Sequence, residues 1–222
     1  MEIWGWMRAL KDRVEDTFAD RIVCLGLQGS YGRGEATENS DIDVVLILNA
    51  VSMEDLQKYQ EILKWLPHRE KVCGFVSGRQ ELENWDRADL FQFCRDTHVI
   101  LGSLDFAKKL AGPDDVRRAV HIGACNLYHA VVHTFMHNPD MRAMKELYKS
   151  AFFLIRTYYY AENGVYINTH RELAECLTGE HRQLVYDAMA LRDGVEPESV
   201  DVLAGRLMTL ASELIVKYGD KK

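Results

Sequence analysis

Gly26-Leu27-Gln28-Gly29-Ser30-Tyr31-Gly32-Arg33-Gly34-Glu35-Ala36-Thr37-Glu38-Asn39-Ser40-Asp41-Ile42-Asp43-Val44 is the stretch that decides how this chain is read. An apolar run from Ile22 to Leu27 feeds a Gly-Ser turn. A loop of small residues follows, and Ser40-Asp41-Ile42-Asp43 opens a second apolar run that ends at Leu48. Both runs are short, rich in β-branched residues and bounded by turn formers, which predicts two buried strands. Asp41 and Asp43 are two residues apart on the second strand, so they project from one face. Carboxylates side by side repel each other unless a cation lies between them. Mg2+ suits such a pair, because it is held by one or two carboxylates together with substrate phosphates. The Gly29-Ser30 turn offers backbone N–H groups and a hydroxyl at the start of a helical turn, an arrangement that binds anions. A phosphate cradle beside a metal-holding pair is what a nucleoside triphosphate requires.

With Gly29, Ser30, Ser40, Asp41 and Asp43 in this order and spacing, the segment resembles the nucleotidyltransferase superfamily that includes polymerase β, in particular its small bacterial members. Their motif is Gly-Ser, a short spacer with small residues, then Asp-x-Asp opening a strand. The resemblance implies that Asp41 and Asp43 are catalytic and hold Mg2+. It implies that Gly29 and Ser30 hold the β- and γ-phosphates, with Ser40 in the usual place before the first Asp. Arg33 is read either as a contact to the triphosphate, since Arg binds phosphate bidentately, or as a solvated loop charge. Asn39 and Ser40 are expected to bond the turn backbone, and Glu35 and Glu38 to face solvent.

Members of the family that carry out transfer have a third acid on the next strand. Here that strand reads Lys71-Val72-Cys73-Gly74-Phe75-Val76, and Cys73 stands about where the acid is expected. A thiol is a poor ligand for Mg2+. Three readings follow. The acid comes from elsewhere, with Asp96 or Glu70 as candidates. One Mg2+ carried in by the nucleotide suffices. Or the protein binds nucleotide and does not transfer it.

Outward from the motif, Ile3, Trp6, Met7, Leu10, Val14 and Phe18 recur at helical spacing and predict an amphipathic helix over residues 3–19. Ser52 and Asp55 form a capping-box pattern that starts a helix running to about Leu66, before Pro67. Lys71 to Val76 is the third strand. Ser77 is expected to cap a short helix that runs through Trp85, and Thr97 to Leu101 makes a fourth strand. After Gly112-Pro113 the pattern is helical almost throughout. One stripe contains Val116, Val120, Ala124, Leu127, Val131 and Phe135. Another contains Met144, Leu147, Ala151, Leu154, Ile155 and Tyr158 and is closed by Asn163-Gly164. Thr169 starts a short helix, and residues 181–191 and 199–218 supply two more. The expectation is an α+β chain, with a small mixed-sheet nucleotidyltransferase-like domain over residues 1–110. An all-α helical bundle over 111–222 follows as the acceptor-binding domain. This layout is similar to that of antibiotic nucleotidyltransferases.

The chain has 222 residues and a formal net charge of −7, which argues against a broad nucleic-acid surface. Five scattered cysteines read as reduced thiols, and no apolar run or leader points to a membrane, so a cytoplasmic protein is expected. His129, His133 and His137 drift along one helical face, but no acid or Cys completes a metal set. Tyr158, Tyr159, Tyr160 and Tyr166 gather aromatic surface, read as packing or as the wall of an acceptor pocket.

These readings lead to a Mg2+-dependent nucleotidyltransferase. It would move a nucleoside monophosphate from a nucleoside triphosphate, ATP foremost, to a hydroxyl of a small-molecule or protein acceptor. The alternative, motivated by Cys73, is a catalytically inactive nucleotide-binding protein, regulatory or antitoxin-like. The oligomeric state is left open, a homodimer included.

Overall fold

Alternation along the two motif strands fixes the first half of the molecule. The structure, a computed structural model, describes residues 1–219. The chain opens with α1 (Ile3–Phe18), capped by the Glu2 carboxylate, which accepts from the N–H groups of Trp4 and Gly5. Trp6, Met7, Leu10, Val14 and Phe18 line its buried face, at the spacing of a helix that lies on a sheet. A 3-10 turn at Ala19–Arg21 leads into β1 (Ile22–Leu27), then α2 (Gly29–Gly32) and β2 (Ile42–Leu48). The Ser52 hydroxyl accepts from Asp55 N–H and the Asp55 carboxylate accepts from Ser52 N–H, so α3 (Met53–Lys64) begins on a reciprocal capping box. β3 (Val72–Gly78), α4 (Arg79–Glu83), α5 (Arg87–Asp96), β4 (His98–Gly102) and α6 (Asp105–Lys108) complete this half.

The sheet is mixed, in the order β3-β2-β1-β4. β1 runs antiparallel to β2 and β4, whereas β2 and β3 are parallel, with α3 as the crossover. Side chains alternate between two apolar layers. Leu25, Leu27, Ile42, Val44, Leu46 and Leu48 face α1 and α3. Cys24, Val45 and Ile47 face Leu82, Leu90, Cys94, Leu104 and Ala107 from the helices between β3 and α6. A sheet buried on both faces explains why its central strands read as continuous apolar runs.

One expectation is corrected here, and one helix is added. Ser77 does not cap a helix: it lies inside β3 with its hydroxyl donating to the Gly78 carbonyl, and Gly78 occupies the N-cap position of α4. Residues after Trp85 form a helix of their own, α5, capped by the Asp86 carboxylate accepting from Ala88 N–H. Its buried residues, Ala88, Leu90, Phe91 and Cys94, are few, and two of them are the small Ala and Cys, so no apolar stripe stands out.

The chain divides into two compact units, Met1–Ala111 and Gly112–Lys222. The second is all helical: α7 (Pro113–His137), α8 (Met141–Asn163), α9 (His170–Cys176), α10 (Gly179–Arg192) and α11 (Val200–Tyr218). Pro113 sits at the first position of α7, where a missing N–H costs nothing, and Asp115 accepts from Gly112 N–H. Gly164 ends α8 at φ +70°. The α7 stripe holds except at its end, where Phe135 is 40% exposed. Inside this unit, the fully buried Asp187 accepts from Arg206 at 2.7 Å and from Gln183 at 2.9 Å, with the Tyr148 hydroxyl beside it. Burial and the Asp187 carboxylate push the Tyr148 phenol upward. Among the described residues, no helix is long and apolar enough to cross a membrane.

Candidate nucleotide site

The motif residues converge where β1 ends and β2 begins. Leu27 is paired with Val44, so the next step of the ladder sets Gln28 against Asp43, and Gln28 N–H donates to the Asp43 carbonyl at 2.8 Å. On the other side of β2, Cys73 is the register partner of Asp43. Cys73, Asp43 and Gln28 therefore form a row across three strands, on the sheet face shared with Val45 and Ile47. Asp41 is exposed just before β2, and Asp43 is half-buried.

Gly29 follows at φ +65°, and a Cβ built on it would lie 1.8 Å from Oδ2 of Asp43. The turn is thus held against the carboxylate at a distance that only glycine permits. Gly32 is close as well: its Cβ would meet the Leu27 carbonyl oxygen at 2.9 Å. Ser30 lies in the single helical turn α2, with its carbonyl accepting from Glu35 N–H at 2.8 Å.

The loop back to β2 is tied by its own side chains. Ser40 Oγ accepts from Thr37 N–H at 2.9 Å, which bonds the turn as the Ser/Asn composition leads one to expect. Lys71 Nζ donates to the Glu38 carbonyl. Arg33 Nε lies 3.3 Å from Glu35 Oε2, and both side chains are close to nine-tenths buried. This corrects the expectation for Glu35, which is sheltered beside a cation and does not face solvent.

Neither Asp96 nor Glu70 completes a three-ligand group with Asp41 and Asp43. Asp96 ends α5, and Glu70 lies in the 3-10 turn before β3 with its side chain 67% exposed, facing His68. Among the described residues, no group of three or more His, Cys, Asp or Glu side chains is gathered to hold a metal ion. The donor set is two carboxylates and a turn pressed against one of them. Such a set fits one Mg2+ arriving with a triphosphate; it does not fit a metal centre built wholly from protein ligands. His129, His133 and His137 are exposed, with neighbouring ring centroids 6.1 and 4.7 Å apart, and they belong to no such group. Tyr158 meets His181 and Tyr218 edge-on, and Tyr160 meets Tyr166, all within the helical unit.

Residues 7–95 match the family model described as a nucleotidyltransferase domain. Over 73 residues the chain is 33% identical to a "putative protein adenylyltransferase" of Methanocaldococcus jannaschii, spanning 33% of this chain and 68% of that protein. This chain belongs to the nucleotidyltransferase superfamily. Among solved structures, this superfamily member resembles a spectinomycin adenyltransferase from Enterococcus, determined with ATP and spectinomycin. The TM-score is 0.54 at 15% identity, covering 94% of this chain and 99% of the other, which is a likeness of fold. A nucleotidyltransferase-like protein from Exiguobacterium sibiricum aligns with a TM-score of 0.35 at 11% identity, over 96% of this chain and 75% of its own.

Nothing in the sequence alone marks Gln28 and Phe93 strongly as part of this site. The available signal was a polar residue closing an otherwise apolar strand, directly before Gly29.

Proposed function

We propose that this chain holds a nucleoside triphosphate, ATP foremost, with Mg2+ at the Asp41/Asp43 edge, and that it does so as a nucleotide-binding regulatory or antitoxin-like protein without nucleotidyl transfer. One observation carries the reading: the residue beside Asp43 on β3, where transferring members place an acid, is Cys73. Asp41 and Asp43 would hold the metal, and Gly29 and Ser30 would receive the phosphates. Bound there, Mg2+ supplies charge neutralisation to the phosphates. Arg33, already beside Glu35, is close enough in sequence to join the phosphates once nucleotide enters.

A second reading is favoured by the sequence likeness to an adenylyltransferase. In it, an acceptor hydroxyl displaces pyrophosphate from the α-phosphorus, and the helical unit binds a small-molecule or protein acceptor. Calorimetry with ATP and Mg2+, paired with a pyrophosphate-release assay, separates the two. Binding that Asp43→Asn removes, without release, is the expected result. Pyrophosphate release that Asp41→Asn and Asp43→Asn abolish would establish transfer instead.

A further inference from the structure

α5 passes across the sheet next to the motif row, and Phe93 near its end touches both flanks of β2. Its ring packs on Phe75 of β3, with centroids 4.8 Å apart. Its carbonyl accepts from Gln28 Nε2 at 3.0 Å and from Thr97 Oγ1 at 2.7 Å. Gln28 Nε2 also lies 2.7 Å from Thr97 Oγ1, closing a three-membered hydrogen-bond ring. Because the Phe93 carbonyl can only accept, the Gln28 amide must turn its NH2 toward α5, which leaves Oε1 as its acceptor. Thr97 is buried. It approaches this closely because Gly26 has no Cβ: one built there would lie 2.5 Å from Thr97 Cγ2.

The backbone of the same Gln28 donates to Asp43, and its carbonyl accepts from Gly32 N–H at 3.1 Å. One residue is thus bonded to β2 through its N–H, to α2 through its carbonyl and to α5 through its side chain. The next residue is Gly29, whose seat against Asp43 leaves no room for a Cβ. We propose that Gln28 is a positioning residue of the nucleotide site: with Thr97 and the Phe93 carbonyl it holds the Gly29-Ser30 turn in register over Asp43, and so sets nucleotide affinity without touching the phosphates through its side chain. This rests on the nucleotide-binding reading above.

The experiment uses the full chain and the variants Gln28→Leu, Thr97→Val and Thr97→Ser. Loss of the clamp weakens Mg2+-ATP binding about tenfold, the scale set by one or two buried hydrogen bonds. Gln28→Leu and Thr97→Val each give that loss, the double variant is no weaker than either alone, and Thr97→Ser, which keeps the hydroxyl, restores binding. In the absence of nucleotide, hydrogen exchange at Gly29–Gly32 accelerates in Gln28→Leu while β2 and β3 keep their protection. A general loss of stability would not show that pattern or the serine rescue. Wild-type affinity in Gln28→Leu, unchanged exchange at the turn, or additive losses in the double variant overturns the proposal. A wild-type chain that binds no ATP overturns the nucleotide reading itself, and the exchange measurement still decides whether Gln28 holds the turn.

Discussion

Gly29→Ala and Gly34→Ala, compared side by side, separate backbone strain from a steric clash at the site. Both glycines lie in the left-handed region, at φ +65° and +72°. An alanine there costs about 1–2 kcal/mol at either position. Around Gly34 nothing lies within 4 Å of the added methyl, so that cost is the whole effect. At Gly29 the methyl would lie 1.8 Å from Asp43 Oδ2, well inside contact distance. The carboxylate must leave its rotamer, at roughly 0.5–1.5 kcal/mol, or the turn must lift away. Gly29→Ala is therefore expected to lose about 1.5–3.5 kcal/mol against about 1–2 for Gly34→Ala. Urea unfolding followed by tryptophan fluorescence reads this cleanly, because Trp4, Trp6, Trp65 and Trp85 all lie in the first unit. Calorimetry with Mg2+-ATP should show binding abolished in Gly29→Ala and kept in Gly34→Ala. Equal stability losses, or a Gly29→Ala variant that binds ATP like the wild type, would refute the placement of the turn against Asp43.

Cys73→Asp adds the absent carboxylate in register with Asp43; Mn2+ affinity without nucleotide, followed by electron paramagnetic resonance, should rise at least about tenfold, and no rise would mean that Cys73 does not face the pair. Arg21, which bonds both oxygens of Asp55, holds that carboxyl far below the usual range against the opposing effect of burial, with Ser52 adding to it. A depressed folded value means the stability it contributes is present above the unfolded value of about 4 and is lost as pH falls through the acid range. Asp55→Asn should therefore weaken the first unit by roughly 1–2 kcal/mol at pH 7 and flatten its acid sensitivity, measured by urea midpoints at pH 7 and pH 3. In the helical unit, Asp187→Ala removes the buried acceptor shared by Arg206, Gln183 and Tyr148, leaves Arg206 to Glu198 at 3.5 Å, and should cost about 3 kcal/mol, visible by far-UV circular dichroism.

The parts that were legible in the sequence are those in which one local rule dominates. Ser52 and Asp55 announce α3 because a capping box is a pairwise, short-range signal. Ile22–Leu27 and Ile42–Leu48 announce themselves because strands covered on both faces carry unbroken apolar runs. α5 was illegible for the opposite reason: its contacts, Leu90 and Cys94 against the sheet, Phe93 against Phe75 and Phe93 to Gln28, join residues far apart in sequence. Glu35 misled for a related reason, since its shelter depends on Arg33 folding back within a loop whose composition alone favours exposure. The site divides along the same line. Gly29 and Asp43 belong to one local motif, so their closeness could be read directly. The proposal on transfer rests instead on the row across the strands, and that row exists only once β3 pairs in parallel with β2 and brings Cys73 beside Asp43. A one-residue change of that register would have turned Cys73 to the other face and placed Val72 or Gly74 there instead. The case against transfer therefore rests on the pairing of β2 with β3, and Cys73→Asp tests that pairing and the chemistry together.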